Sequence, residues 1–279
     1  MLEPFQFDFF VRGIIATTLV GALCGLLGVY IVLRRMAYIG HGLAHATFGG
    51  AVISYLMSFN FLLGASLWGF LSALLITLTA RRATIHSDAA IGIITTASFA
   101  LGVALISRFR SFTRSIEAAL FGNILGVTTG DLLVIGSVAI VAFVIILAGY
   151  KFFLFTAFDQ DVARFYGVPT GWVDTMFSLI LAAVIVASMQ VMGVTLIAAA
   201  IVIPPVIARL LTDNFRMMMI LSITISALCG CFGIYISFFI DVSSGASVVL
   251  LSALVFVVVL GVTSLRSGRV TGRSFTGGV

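Results

Sequence analysis

From Val11 to Leu33 the chain is apolar almost without interruption, and it then stops on Arg34-Arg35. A run of about 20 apolar residues is enough to cross the hydrocarbon layer of a membrane as a helix. The pattern recurs along the chain, so nine spans are expected, near 12–34, 42–59, 61–80, 89–107, 131–150, 173–190, 192–210, 217–240 and 246–265. One of them, in "VMGVTLIAAAIVIPPVIARLL", contains Pro204-Pro205. Proline removes a helical donor, so this span is split or turns back, and the expectation is eight to nine crossings with one helix proline-broken. Composition excludes a soluble alternative: 61% of the 279 residues are hydrophobic and 9% are charged, with a mean hydropathy of +1.26. So little charge cannot cover a globular surface, and no globular core hides that much apolar surface. The fold class is an all-α polytopic membrane protein with one transmembrane domain over residues 1–265. No cleavable leader is expected, because the first run ends on arginines rather than at a small-residue cleavage site.

Basic residues set the orientation. With strict alternation, Arg34-Arg35, Arg81-Arg82, Lys151, Arg164, Arg209, Arg216, Arg266, Arg269 and Arg273 fall on one side, which is then cytoplasmic, and the amino end lies outside. Arg108, Arg110 and Arg114 run against the rule, in a stretch that reads as an external loop leading into a short helix. Residues 266–279 have no apolar period and read as a flexible cytoplasmic tail.

Two of the three histidines, His41 and His45, sit four residues apart in "YIGHGLAHATFGG". A helix places both on one face, where they can touch one ion. The small residues around them let another helix approach or leave a lumen. Ionisable groups near a span usually face a bundle interior or a water path. Imidazole suits zinc, iron and the other late first-row ions, and two ligands make a site an ion can leave. The alternative is a hydrogen-bonded pair near the interface. His86, after two arginines at a cytoplasmic turn, reads as solvated. Cys24, Cys229 and Cys231 form neither a disulfide framework nor a zinc knuckle.

On the cytoplasmic side, "FTAFDQDVARFYGVPTGWVD" is neither span nor tight turn. Asp159 and Asp161 favour the first turn of a short helix, and Gly167 with Pro169 ends it after Arg164 and Phe165. Such a segment is either an interfacial helix or a docking knob. Catalysis finds little support. There is no phosphate-cradling GxxxxGK[ST] loop and no Ser-His-Asp arrangement, and "HGLAH" has Gly42 where a metalloprotease needs glutamate. An ion-driven secondary transporter would want intramembrane carboxylates, yet Asp131, Asp174 and Asp241 all sit at span ends.

The run "LLGVYIVLRRMAYIGHGLAHATFGG" resembles the membrane permease of the zinc/manganese/iron class of ATP-binding-cassette (ABC) uptake transporters. The likeness continues in "DAAIGIITTASFALGVALIS", "LFGNILGVTTGDL", "DQDVARFYGVP", "MQVMGVTLIAAAIVIPPVIARLLT" and "SSGASVVLLSALVF", in the family's order over about residues 11–265. The resemblance implies a non-enzymatic permease of a prokaryotic cytoplasmic membrane, paired with a second permease copy. Two cytoplasmic ATPase subunits would bind the ATP, and an extracytoplasmic metal-binding receptor would deliver the ion. No cofactor is permanently bound and no nucleic acid is involved. The family's coupling region corresponds to Asp159, Asp161, Arg164, Phe165, Gly167 and Pro169. Its metal route is associated with an aspartate and a histidine at the positions of His41 and His45. This chain departs by carrying His41, which keeps a ligand but removes a negative charge.

Overall fold

The computed structural model describes residues 3–81, 87–109 and 122–271. Every regular element among them is helical. The helices are α1 (Asp8–Leu33), α2 (Tyr38–Leu56), α3 (Phe61–Ala80), α4 (Ser87–Phe109), α5 (Thr129–Ala148), α6 (Tyr150–Phe158), α7 (Gln160–Phe165), α8 (Thr170–Leu211), α9 (Phe215–Ile240) and α10 (Ser244–Thr271). Arg82, His86, Arg110 and Arg114, and residues 272–279, lie outside the described residues.

Seven of the described helices are long and apolar enough to cross a membrane: α1, α3, α4, α5, α8, α9 and α10. The chain is therefore a multi-pass membrane protein. Helix α2 is not among the seven, because its two histidines and its glycines dilute the apolar residues. It is nonetheless mostly buried, packed against α3, α4 and α8. Helix α8 has 42 residues, about 63 Å at 1.5 Å per residue, roughly twice the hydrocarbon thickness.

The interruption in α8 is not at the prolines. Pro204 and Pro205 lie within a helical arm, and the one non-helical residue inside α8 is Gly193, with φ 75° and ψ 164°. A residue with a side chain enters that backbone region only at a cost, so glycine decides where the two arms meet. The turn at Gly193 disturbs the helical ladder beside it, and the Asn123 N–H donates to the Gln190 carbonyl at 3.0 Å. A backbone acceptor beside the junction is thus satisfied by a neighbouring loop. Pro205 in turn cannot donate to the Ile201 carbonyl, and that carbonyl faces Gly28 of α1, where any Cβ would collide with it.

Helix α1 is the centre of the bundle, packed on α8 and α9. A Cβ on Gly21 or Gly25 would lie 2.6 Å from the carbonyl oxygen of Ser226 or Ser222 respectively. The Ser222 hydroxyl donates to the Gly25 carbonyl at 2.7 Å. In lipid, where apolar burial does not drive helices together, such small-residue contact and interhelical hydrogen bonding hold the bundle.

Candidate functional site

The turn between α1 and α2 is closed by two backbone bonds, Arg35 N–H to the Val32 carbonyl at 3.1 Å and Met36 N–H to the Ile31 carbonyl at 3.0 Å. This is a Schellman cap with Arg35 in the left-handed region, φ 56°. It reverses the chain and starts α2 at Tyr38, so that His41 comes up within its first turns. Both histidines are half-buried. Their ring centroids are 4.4 Å apart at 73°, and the His45 ring stands edge-on to Phe99 of α4, with centroids 4.9 Å apart. The Tyr38 ring flanks His41 at 5.6 Å.

Close packing fixes this face. A Cβ on Gly42 would lie 2.6 Å from Ile91 Cγ2 and 2.7 Å from Thr95 Cγ2, so α2 and α4 approach closely where the histidines emerge. The Nδ1 atom of His45 is buried and has no hydrogen-bond partner. A buried imidazole nitrogen without a partner costs free energy, and a bound cation would satisfy it. Among the described residues, no group of three or more His, Cys, Asp and Glu side chains could hold a metal ion. The described residues therefore hold two imidazoles side by side but no cluster of three such donors.

Asp159, Asp161, Arg164, Phe165, Gly167 and Pro169 lie on one knob, formed by α7 and its two ends. The Asp159 side chain caps α7, accepting from the backbone N–H of Asp161 at 2.9 Å and of Val162 at 3.0 Å. At the other end, Gly167 N–H bonds the Arg164 carbonyl at 2.9 Å and Val168 N–H bonds the Ala163 carbonyl at 3.0 Å. With Gly167 at φ 79°, this is again a Schellman cap. Arg164 Nε donates to Thr170 Oγ1 at 3.0 Å, and Pro169 leads directly into α8. Phe165 is 86% exposed, Tyr166 71% and Trp172 72%, an aromatic surface that nothing among the described residues covers.

What sequence reasoning missed is the brace behind this knob. Arg34, read there only as an orienting charge, is buried at the end of α1. It donates through Nη1 to Asp174 of α8 at 2.9 Å and through Nη2 to Thr156 of α6 at 2.5 Å. Its guanidinium also lies 5.0 Å from the centre of the Phe177 ring. Gln160, the first residue of α7, donates to the same Asp174 carboxylate at 3.2 Å. Burial pulls the Arg34 guanidinium below its ordinary pKa and Asp174 opposes that shift. Arg81 clamps the start of α8 as well, donating to the Gly171 carbonyl and to Thr175 Oγ1. The available signal was the lone acid Asp174 at a span end, which needed a cationic partner.

Comparison with known proteins agrees with this architecture. The manganese transport system membrane protein MntC of Halalkalibacterium halodurans is 35% identical over 251 residues, covering 90% of this chain and 86% of that protein. The chelated iron transport system membrane protein YfeC of Yersinia pestis is 34% identical over 256 residues, covering 92% and 87%. Among solved structures, PsaBC from Streptococcus pneumoniae in complex with Fab superposes with a TM-score of 0.81 at 32% identity, covering 92% of each chain. Residues 6–263 match the family description, and the chain belongs to the ABC 3 transport family.

Proposed function

We propose that this chain is the permease subunit of an ABC importer that carries a divalent transition-metal ion, zinc, manganese or iron, across the cytoplasmic membrane of a prokaryote. The observation that carries the reading is the histidine pair on α2, with ring centroids 4.4 Å apart and a buried His45 Nδ1 that lacks a partner. Imidazole nitrogens bind these ions, and two donors from one copy hold an ion without trapping it. Relatives named as manganese and iron transport membrane proteins support the same cargo class.

The chain performs no covalent chemistry in this reading. A second permease copy completes the pathway, an extracytoplasmic receptor delivers the ion to the outer mouth, and two separate ATPase subunits supply the energy. The ATPases dock on the knob of Asp159, Asp161, Arg164, Phe165, Gly167 and Pro169, whose exposed aromatic surface supports a protein contact. Counting α2 as one crossing and the two arms of α8 as one each gives nine crossings. The amino end is then outside, and the residues after 265 form a cytoplasmic tail. His41 and His45 act as transient ligands as the two copies open the pathway to each side in turn.

The test is ATP-dependent flux of zinc, manganese and iron in vesicles containing the permease, its ATPase and its receptor. His45→Ala is expected to lower flux about tenfold or more at matched protein level, the scale of loss for disturbing a metal site. His41→Asp is expected to keep flux and to change the preference among ions, because it exchanges a neutral nitrogen donor for a charged oxygen donor. Acidification is expected to suppress flux, since a protonated imidazole cannot ligate and metal binding must displace its proton. Undiminished flux of every ion in the double alanine variant would return the pair to a purely structural role.

A further inference from the structure

The largest of the described grooves bearing basic side chains lies away from the histidines, at the end of the bundle that carries Arg34 and Arg81. It encloses about 870 Å³ between the end of α5, α6, the end of α7 and the start of α9. Lys151 and Arg216 face it from α6 and α9, and Tyr150, Phe152, Phe155 and Tyr166 supply aromatic wall. No carboxylate among the described residues lines it. Neither Lys151 nor Arg216 takes part in an ion pair among the described residues, where the pairs are Arg34 with Asp174, Arg164 with Asp161 and Arg209 with Asp213. The adjacent cavity holding Arg34, Arg81 and Arg164 differs in this respect, because Asp174 lies inside it and takes the Arg34 charge.

Two unpaired cations at the water interface beside an apolar wall fit one ligand chemistry, a phosphate head on hydrocarbon tails. The groove opens onto the outward face of α5, where Val144 is 56% exposed and Leu147 48%. An acyl chain has an uninterrupted apolar path there, whereas a protein loop would bring backbone groups with nothing to bond. Tyrosines are also the usual anchors at headgroup depth.

We infer that this groove binds an anionic phospholipid of the cytoplasmic leaflet, its phosphate held between Lys151 and Arg216 and an acyl chain lying along α5. The leaflet follows from the orientation proposed above, but the binding site does not depend on the metal reading. Through Tyr166 and Val168 the lipid would touch the end of α7, so occupancy would steady the base of the cytoplasmic knob.

Native mass spectrometry of the detergent-purified permease–ATPase complex, titrated with phosphatidylglycerol, phosphatidylcholine or inorganic phosphate, tests this without any transport measurement. Phosphatidylglycerol is expected to bind more tightly than phosphatidylcholine. The K151Q/R216Q double variant is expected to weaken phosphatidylglycerol about thirty-fold, from two basic side chains near the membrane surface. Arg209→Gln, which removes a charge from the same end of the bundle outside the groove, is expected to leave binding unchanged. Equal retention in the double variant and the wild type would overturn the inference. So would equal weakening by Arg209→Gln, which would mean a diffuse surface potential, or displacement of phosphatidylglycerol by millimolar inorganic phosphate. Binding only by permease stripped of its ATPase would overturn it too, since the groove would then be a protein interface.

Discussion

Replacing Arg34 with methionine removes the charge that ties α1, α6 and α8 together, while leaving an unbranched stem in place of the arginine's. The Arg34 side chain is 4% exposed and its partner Asp174 21%. Breaking a fully buried pair by deleting one partner costs about 3–5 kcal/mol, because the other charge is left without compensation. Asp174 is partly hydrated and still accepts from Gln160, so the lower part of that range is reduced further, to about 2 kcal/mol. The bond to Thr156 adds about 1 kcal/mol to the loss. The pairwise part is isolated by a double-mutant cycle with Asp174→Asn, read by equilibrium unfolding of the permease in mixed micelles. Arg34→Met is expected to destabilise by about 3 kcal/mol, and the cycle to give about 2 kcal/mol of coupling between the two sites. Coupling below about 0.5 kcal/mol, the range of exposed ion pairs, would refute the brace.

Three other outcomes follow from the same geometry. Gly167→Val is expected to cost about 1–2 kcal/mol at φ 79°, with no steric contribution because nothing lies within 4 Å of the added Cβ. It should weaken co-purification of the ATPase while α8 and the rest of the bundle stay folded by circular dichroism, and normal co-purification would leave α7 as an interfacial helix. Gly21→Leu drives a side chain into the Ser226 carbonyl, which stands 2.6 Å from the first added atom, and is expected to lower thermal stability in detergent by about 1–3 kcal/mol or more. Single cysteines at Leu2 and Phe275, labelled from either side of the membrane, are expected to react from opposite sides. Labelling of both from one side would remove one crossing from the count of nine.

Segment length and hydropathy were legible because they are local. Twenty apolar residues in a row place α1, α3, α4, α5, α9 and α10 without knowledge of any neighbour. The short helix α7 was legible for the same reason, since acids at its start and a glycine past its last turn act locally, although Asp159 proves to be the N-cap rather than a first-turn residue. The junction at Gly193 falls within two residues of the expected gap between spans 173–190 and 192–210, but the further break expected at the prolines is absent, because a neighbouring helix with a glycine accommodates the Ile201 carbonyl that Pro205 leaves unbonded. Gly193 bends the chain because the Gly122-Asn123 loop, far away in sequence, packs on it and satisfies Gln190.

The histidine pair was half legible. Spacing put both rings on one face of α2, but whether a nitrogen lacks a partner depends on what α4 brings, and α4 brings Phe99 and a threonine methyl rather than a hydrogen-bond partner for His45 Nδ1. The brace was not legible as a pair: Asp174 signalled the need for a cation, but Arg34 is 140 positions away and no local pattern joins the two. Its place in the chain then gives it a consequence. Arg34 is the cap of α1, and the closed turn of Arg35 and Met36 hands the chain directly to α2, so the residue that holds the base of the knob is joined to His41 by one tight turn and one turn of helix. A displacement of α7 that pulls on Asp174 or Thr156 reaches Arg34 through hydrogen bonds and His41 through covalent backbone. Under the function proposed above, that is the contiguous route by which docking at α7 would bias the histidine pair, and the Arg34–Asp174 coupling measured by the double-mutant cycle tests its first link.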